Sequence, residues 1–168
     1  AGQPVLLADQ DRTKWDQDKI RKGTAHLVAA NALGSVGVYQ LQATMAAIHS
    51  TAMDYAETDW QAIIGVYDVL LSNGAGAVVA LNRAVAIGER DGPEVALELL
   101  EHLADADDLA RYHYFHTARA ETLRRLGRAS EAADAFDAAL EVCENESARR
   151  WIAGRLAALG SGDQPPPR

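Results

Sequence analysis

Three imidazoles are the first residues in the chain whose spacing suggests chemistry. His113 and His116 stand three residues apart, one turn of a helix, where two rings on one face can share a metal ion. His49 would offer a third nitrogen ligand of the kind zinc takes. No cysteine or carboxylate stands at a spacing that completes such a site, and histidines at this interval are common on helix faces, so neither a metal nor any other cofactor is expected. Asp11, Asp16, Asp59 and Asp68 are carboxylates that could move protons as general acids or bases. Two of them fall at capping positions, and neither a nucleophile motif nor a glycine-rich phosphate loop accompanies them. The pattern does not describe an enzyme.

Recognition chemistry is better represented. Trp60 and Tyr67, seven residues apart, share one stripe of a helix and form either an aromatic pair in the core or a ligand clamp. Tyr39-Gln40-Leu41-Gln42 and Asn82-Arg83 bring amides and a guanidinium that must find partners if packing hides them. They belong either to a buried polar network or to a groove that reads a partner segment. Arg119, Arg124, Arg125 and Arg128 gather near a helix end, where positive charge suits the helix dipole and could also meet an acidic partner.

The elements that must hold these residues are helical throughout. Thr13 followed by Asp16 has the spacing of a capping box, and Ile20, Leu27 and Val28 then recur at helical period until Gly34 stops the helix. A second helix spans 37–56. Thr58 with Gln61 has the spacing of another box and opens a third, ending at Asn73-Gly74. Helices follow over 78–87 and from Pro93 to Leu103, with Pro93 suited to a first helical position. The acidic stretch Asp105, Asp107, Asp108 reads as a connector. Further helices cover 109–126, closed by Gly127; 131–142, capped by Ser130; and 147–159, announced by Asn145. About eight helices result, and the Pro-rich tail 160–168 is expected to be disordered.

Helix and short turn alternate with an internal repeat. Leu123, Leu126, Gly127, Ala132, Phe136, Ala139 and Leu140 follow the tetratricopeptide pattern, with small residues where paired helices approach and large ones where they fill space. Ala84, Ile87, Ala96 and Leu100 repeat it at an offset of 36 residues, near the ~34 of that family. The clearest units are 78–103 and 110–143. The expected fold is all-α: a tetratricopeptide-like array of antiparallel helix hairpins in a right-handed superhelical stack, forming one domain over 1–159.

Composition narrows the partners. Of 168 residues, 48% are hydrophobic, and 16 basic against 24 acidic side chains give a net charge of −8, which repels the phosphates that dominate nucleic-acid affinity. The single cysteine, Cys143, excludes an intrachain disulfide and suits a reducing compartment. No apolar run approaches the ~18 residues of a membrane span, so a cytoplasmic location without membrane contact is expected.

Several phrases exceed a generic repeat: Gln10-Asp11-Arg12 with Trp15-Asp16, Tyr39-Gln40-Leu41-Gln42-Ala43, Thr58-Asp59-Trp60, Tyr67-Asp68-x-Leu70, Leu81-Asn82-Arg83-Ala84-Val85-Ala86, and Tyr112-His113 with His116. Together they resemble the C-terminal tetratricopeptide-like regulatory domain of extracytoplasmic-function (sigma-24-like) RNA polymerase sigma factors. The resemblance covers roughly Val5 to Leu159. It implies a regulatory protein-interaction domain of bacterial transcription initiation that docks in cis on the sigma-factor DNA-binding domains or on RNA polymerase. Promoter DNA would be reached only through upstream domains that no segment here resembles. The expected docking groove draws on Trp15, Tyr39, Gln40, Gln42, His49, Trp60, Tyr67, Asp68, Asn82, Arg83, His113, His116 and Arg119. The alternative is a small-molecule sensor whose pocket, between the first hairpins and the repeats, takes Trp15, Tyr39, Gln42, His49, Trp60 and Asn82. A plain assembly scaffold is a third reading.

Overall fold

The computed structural model describes residues 5–160. Every regular element among them is a helix, and no strand occurs, as the periodicity requires. The chain divides into two compact units, Val5–Ala75 and the residues from Gly76 onward.

The first unit begins with two 3-10 turns, Leu7–Asp9 and Arg12–Lys14, followed by helices α1 (Gln17–Asn31), α2 (Val38–Thr51) and α3 (Trp60–Ser72). The α1 helix packs on α2, and α2 on α3. Both expected capping boxes are corrected. Asp16 itself caps α1, its Oδ1 accepting from the Lys19 amide at 3.0 Å, and Asp59 caps α3 by accepting from Ala62 at 2.9 Å. The threonine hydroxyls are engaged elsewhere: Thr13 donates to Asp11 at 2.5 Å, and Thr58 accepts from Arg12 at 3.5 Å. Burial is confined largely to α3, where Ile63, Ile64, Val66 and Leu70 are covered, whereas neither α1 nor α2 has a fully buried residue.

The second unit contains α4 (Ala77–Asp91), α5 (Pro93–His102), the single turn α6 (Asp107–Ala110), α7 (His113–Arg125), α8 (Ala129–Val142) and α9 (Glu146–Gly160). The pairs α4/α5 and α7/α8 are hairpins; α5 packs on α7, and α9 on α8. Between α4 and α5 the chain turns at Gly92, whose φ of 106° is closed to most side chains, and Pro93 occupies the first helical position. The helix expected over 109–126 is divided: its first residue, the fully buried Leu109, joins Asp107 and Asp108 of the acidic connector in the turn α6, and α7 begins only at His113 after Arg111 and Tyr112 leave the helix. Ser130 lies inside the first turn of α8, with Arg128 at the cap position. The α9 helix runs through Gly160, and residues 161–168 of the expected tail lie outside the described residues.

The 36-residue offset organises this core. Ala84 and Ala120, Ile87 and Leu123, Ala96 and Ala132, and Leu100 and Phe136 are all buried. Small residues set the helix spacing as the repeat pattern demands: a Cβ added at Gly88 of α4 would stand 2.5 Å from the Ala96 Cβ of α5. Phe136 fills the space between α7, α8 and α9 with Leu97, Leu123, Cys143 and Ile152 in one cluster. A second cluster gathers Leu81, Ala84, Leu100, Leu109 and Phe115.

Candidate functional site

In the first unit, the residues expected to line a groove sort into three environments. Tyr39 stands on the first turn of α2 and is 86% exposed; Gln42, three residues on and on the same face, is also exposed. Gln40 instead turns back on its own helix, its Oε1 accepting from the Gly37 amide at 2.7 Å, and so acts as an N-terminal cap. Trp60 is half-buried against His49, with edge-on rings 5.5 Å apart, and against Tyr55 at 5.2 Å. Burial pushes the Tyr67 phenol above its ordinary range. Asp68 is exposed.

Arg12 is the polar centre of this unit. Only 7% exposed, it donates through Nη1 to the carbonyls of His49 at 2.6 Å and Ala52 at 2.9 Å, and through Nη2 to Thr58. Its guanidinium lies over the Trp15 ring, 5.1 Å from the centroid, a favourable cation–π placement. The two carbonyls belong to the C-terminal end of α2, where the helix dipole is negative. No carboxylate among the described residues lies within 4 Å of Arg12, and its buried Nε has no partner. The proximity is felt by His49: burial first, and the Arg12 charge second, hold its imidazole below its ordinary pKa.

In the second unit, Asn82 is exposed on α4 and Arg83 is half-buried. The two histidines of α7 are separated by chemistry as well as by position. His116 Nε2 lies 2.9 Å from the Ala110 carbonyl, a bond that requires that nitrogen to carry the proton. The His113 ring lies 4.1 Å from that of Tyr114, and its buried Nε2 has no partner. No group of three potential metal-ligating side chains occurs among the described residues.

The arginines that sequence grouped as a basic patch are individually neutralised. Arg119 reaches Glu101 of α5 at 2.8 Å, Arg125 reaches Glu89 of α4 at 2.8 Å, and Arg128 pairs with Glu131 at 2.5 Å. Arg124 shares Glu121 with Arg155 of α9, whose two nitrogens grip that carboxylate at 2.5 and 2.6 Å. Burial alone would raise the Glu121 carboxyl, but hydrogen bonds from Arg155 and Arg124, together with their charges, outweigh it and hold the group below its ordinary range. These pairs tie α7 to α4, α5 and α9. Arg119 is thus occupied in a tie between helices.

The chain is similar to an uncharacterized protein of Rhizobium meliloti (strain 1021), with 40% identity over 160 residues. That match takes in 95% of this chain and 37% of the relative, so the chain spans little more than a third of the longer protein's length. No family model and no solved structure matches.

Arg12 is the residue that sequence reasoning passed over. It stands within the phrase Gln10-Asp11-Arg12, yet its partners lie 37 to 46 residues away, and no local spacing encodes such contacts. The nearest available signal is Trp15 one turn on, a ring on which a guanidinium can rest.

Proposed function

We propose that this chain is a protein-interaction and regulatory module of a larger bacterial transcription-initiation factor, working in the cytoplasm by docking on promoter-binding domains of the same protein or on RNA polymerase. One observation carries the reading. Around the α1–α2 turn, Leu33, Val36, Val38 and Tyr39 stand exposed in succession, Leu33 at 81%, with Gln42 beside them. Exposed apolar surface with a polar edge is what a protein partner covers. The family resemblance supplies the kind of partner, and the greater length of the Rhizobium relative supplies a precedent for such a region inside a longer chain. Tethering raises the effective concentration of partner to about the millimolar range for a short flexible linker, so weak docking suffices.

The direct test combines Tyr39→Ala with Gln42→Ala. Because both side chains are exposed, the melting temperature should be unchanged, while run-off transcription by the longer factor should lose its dependence on this region. Full retention of that dependence would refute the reading. DNA is assigned no role: the net charge of −8 repels phosphates, and Arg119, Arg124, Arg125, Arg128 and Arg155 are each held by a glutamate. A labelled duplex titrated with the chain at low salt should therefore show no binding.

A further inference from the structure

A cavity of about 790 Å³ opens within the first unit, between α1 and the C-terminal end of α2. Its size falls in the range of pockets that hold small organic molecules, roughly 300–1,000 Å³. Ile20, Val28, Ala52 and Met53 supply apolar wall, and two of these remain open to solvent, Val28 at 63% and Met53 at 83%. The polar side of the lining is one-signed. Among the described residues Arg12 and Arg21 border the cavity and no carboxylate does, in a chain whose net charge is −8.

Arg12 makes that imbalance consequential. Its hydrogen bonds all go to neutral oxygens, and the end of a helix dipole offers only about half a negative charge. A nearly buried guanidinium without a full counter-charge is costly in a protein interior, and every other arginine tie described above reaches a carboxylate. Arg21, at the rim, is exposed and already paired with Asp18, so its charge is largely offset and Arg12 is the cation that matters here. An apolar wall beside an uncompensated cation matches a ligand with a hydrocarbon body and a single anionic head. A planar carboxylate is the head that a guanidinium fork fits best.

We propose that this cavity binds an amphipathic carboxylate, with its head toward Arg12 and its tail along Ile20 and Val28. The site is independent of the docking face: Tyr39 and Gln42 do not line it, and the inference stands or falls without the transcriptional reading.

The test is calorimetric titration of the full chain with decanoate, decan-1-ol and decyltrimethylammonium, which share a tail and differ in the charge of the head. Decanoate should bind at least about tenfold more tightly than either of the others, as expected for one charge-assisted interaction. Ala25→Trp, which fills the cavity from an exposed position on α1, should weaken decanoate to a similar degree while leaving the circular dichroism unchanged. Arg12→Gln should erase the preference for the anion. If that variant fails to fold, the head-group series and Ala25→Trp still decide. Equal affinity for decanoate and decanol, unchanged affinity in Ala25→Trp, or no heat with decanoate at millimolar concentration would each overturn the proposal.

Discussion

Arg12 and Arg149 each donate from a single Nη1 to two carbonyls at the end of a helix: Arg12 to His49 and Ala52 in the last turn and cap of α2, Arg149 to Leu140 and Cys143 in the last turn and cap of α8. The device is the same, but its surroundings differ. Arg149 is exposed, so water screens its charge, and the neighbouring arginines of its unit are matched to glutamates. Arg12 is buried at an end of the chain's more open unit, with no acid to answer it. The same contrast holds for apolar groups. From α4 to α9 every helix buries side chains, and Leu100, Leu109, Leu123 and Phe136 are wholly covered. Around α1 and α2, by contrast, Leu33, Val36, Val38, Tyr39 and Met53 face solvent. Among the described residues of the second unit, the His113 Nε2 is the buried side-chain atom left without a partner; the first unit leaves a buried cation without a counter-charge and a run of apolar side chains in water.

The largest difference should appear on truncation. Phe136→Ala empties the centre of the α7–α9 cluster and should cost about 3–5 kcal/mol in urea denaturation. Val28→Ala on α1 should stay within about 0.5 kcal/mol, because its side chain is mostly in water. Comparable losses at the two positions would erase the distinction.

A pair of glycines sharpens it further. Gly88→Ala forces a Cβ to within 2.5 Å of Ala96 and should destabilise by about 1–3 kcal/mol through overpacking; Ala132→Leu, at a wholly buried position, should do the same. Gly23→Ala in α1 meets nothing within 4 Å and should stabilise by about 0.5–1 kcal/mol from helix propensity alone. Opposite signs for one chemical change are the expectation, read from thermal melts of the single variants.

These positions also show what was legible beforehand. The 36-residue offset between Ala84–Leu100 and Ala120–Phe136 is a packing rule written in residue size, so the repeat and its buried residues could be read directly. Helix ends at Gly34, Gly74 and Gly127 could be read because only glycine accepts their positive φ. Caps were harder. A threonine and a nearby carboxylate offer the same acceptor chemistry, and the choice between Thr13 and Asp16, or Thr58 and Asp59, depends on where the hydroxyl finds another partner. The candidate groove was the least legible part. Gln40 and Arg119 carry recognition-type side chains but spend them on a cap and an ion pair, while Arg12 acquires its importance through contacts across the fold that sequence spacing does not record.

The smallest effect expected is electrostatic. Because folding holds the His49 imidazole below its ordinary pKa, the unfolded chain takes up a proton more readily as pH falls through about 6.5. Stability should therefore decline between pH 7.5 and 5.5, and His49→Gln should flatten part of that decline in melting temperature. An identical pH profile for the variant would show that His49 is not held neutral by its surroundings.

Native-state hydrogen exchange on the intact chain compares the two units most directly. Amides in α7 and α8 should exchange only through global unfolding, whereas those of α1 should exchange through local opening, faster by on the order of 100-fold at neutral pH. Equal protection across 17–31 and 113–142 would contradict the account, because it would mean that the first unit is as completely closed as the second and leaves nothing for a partner to complete.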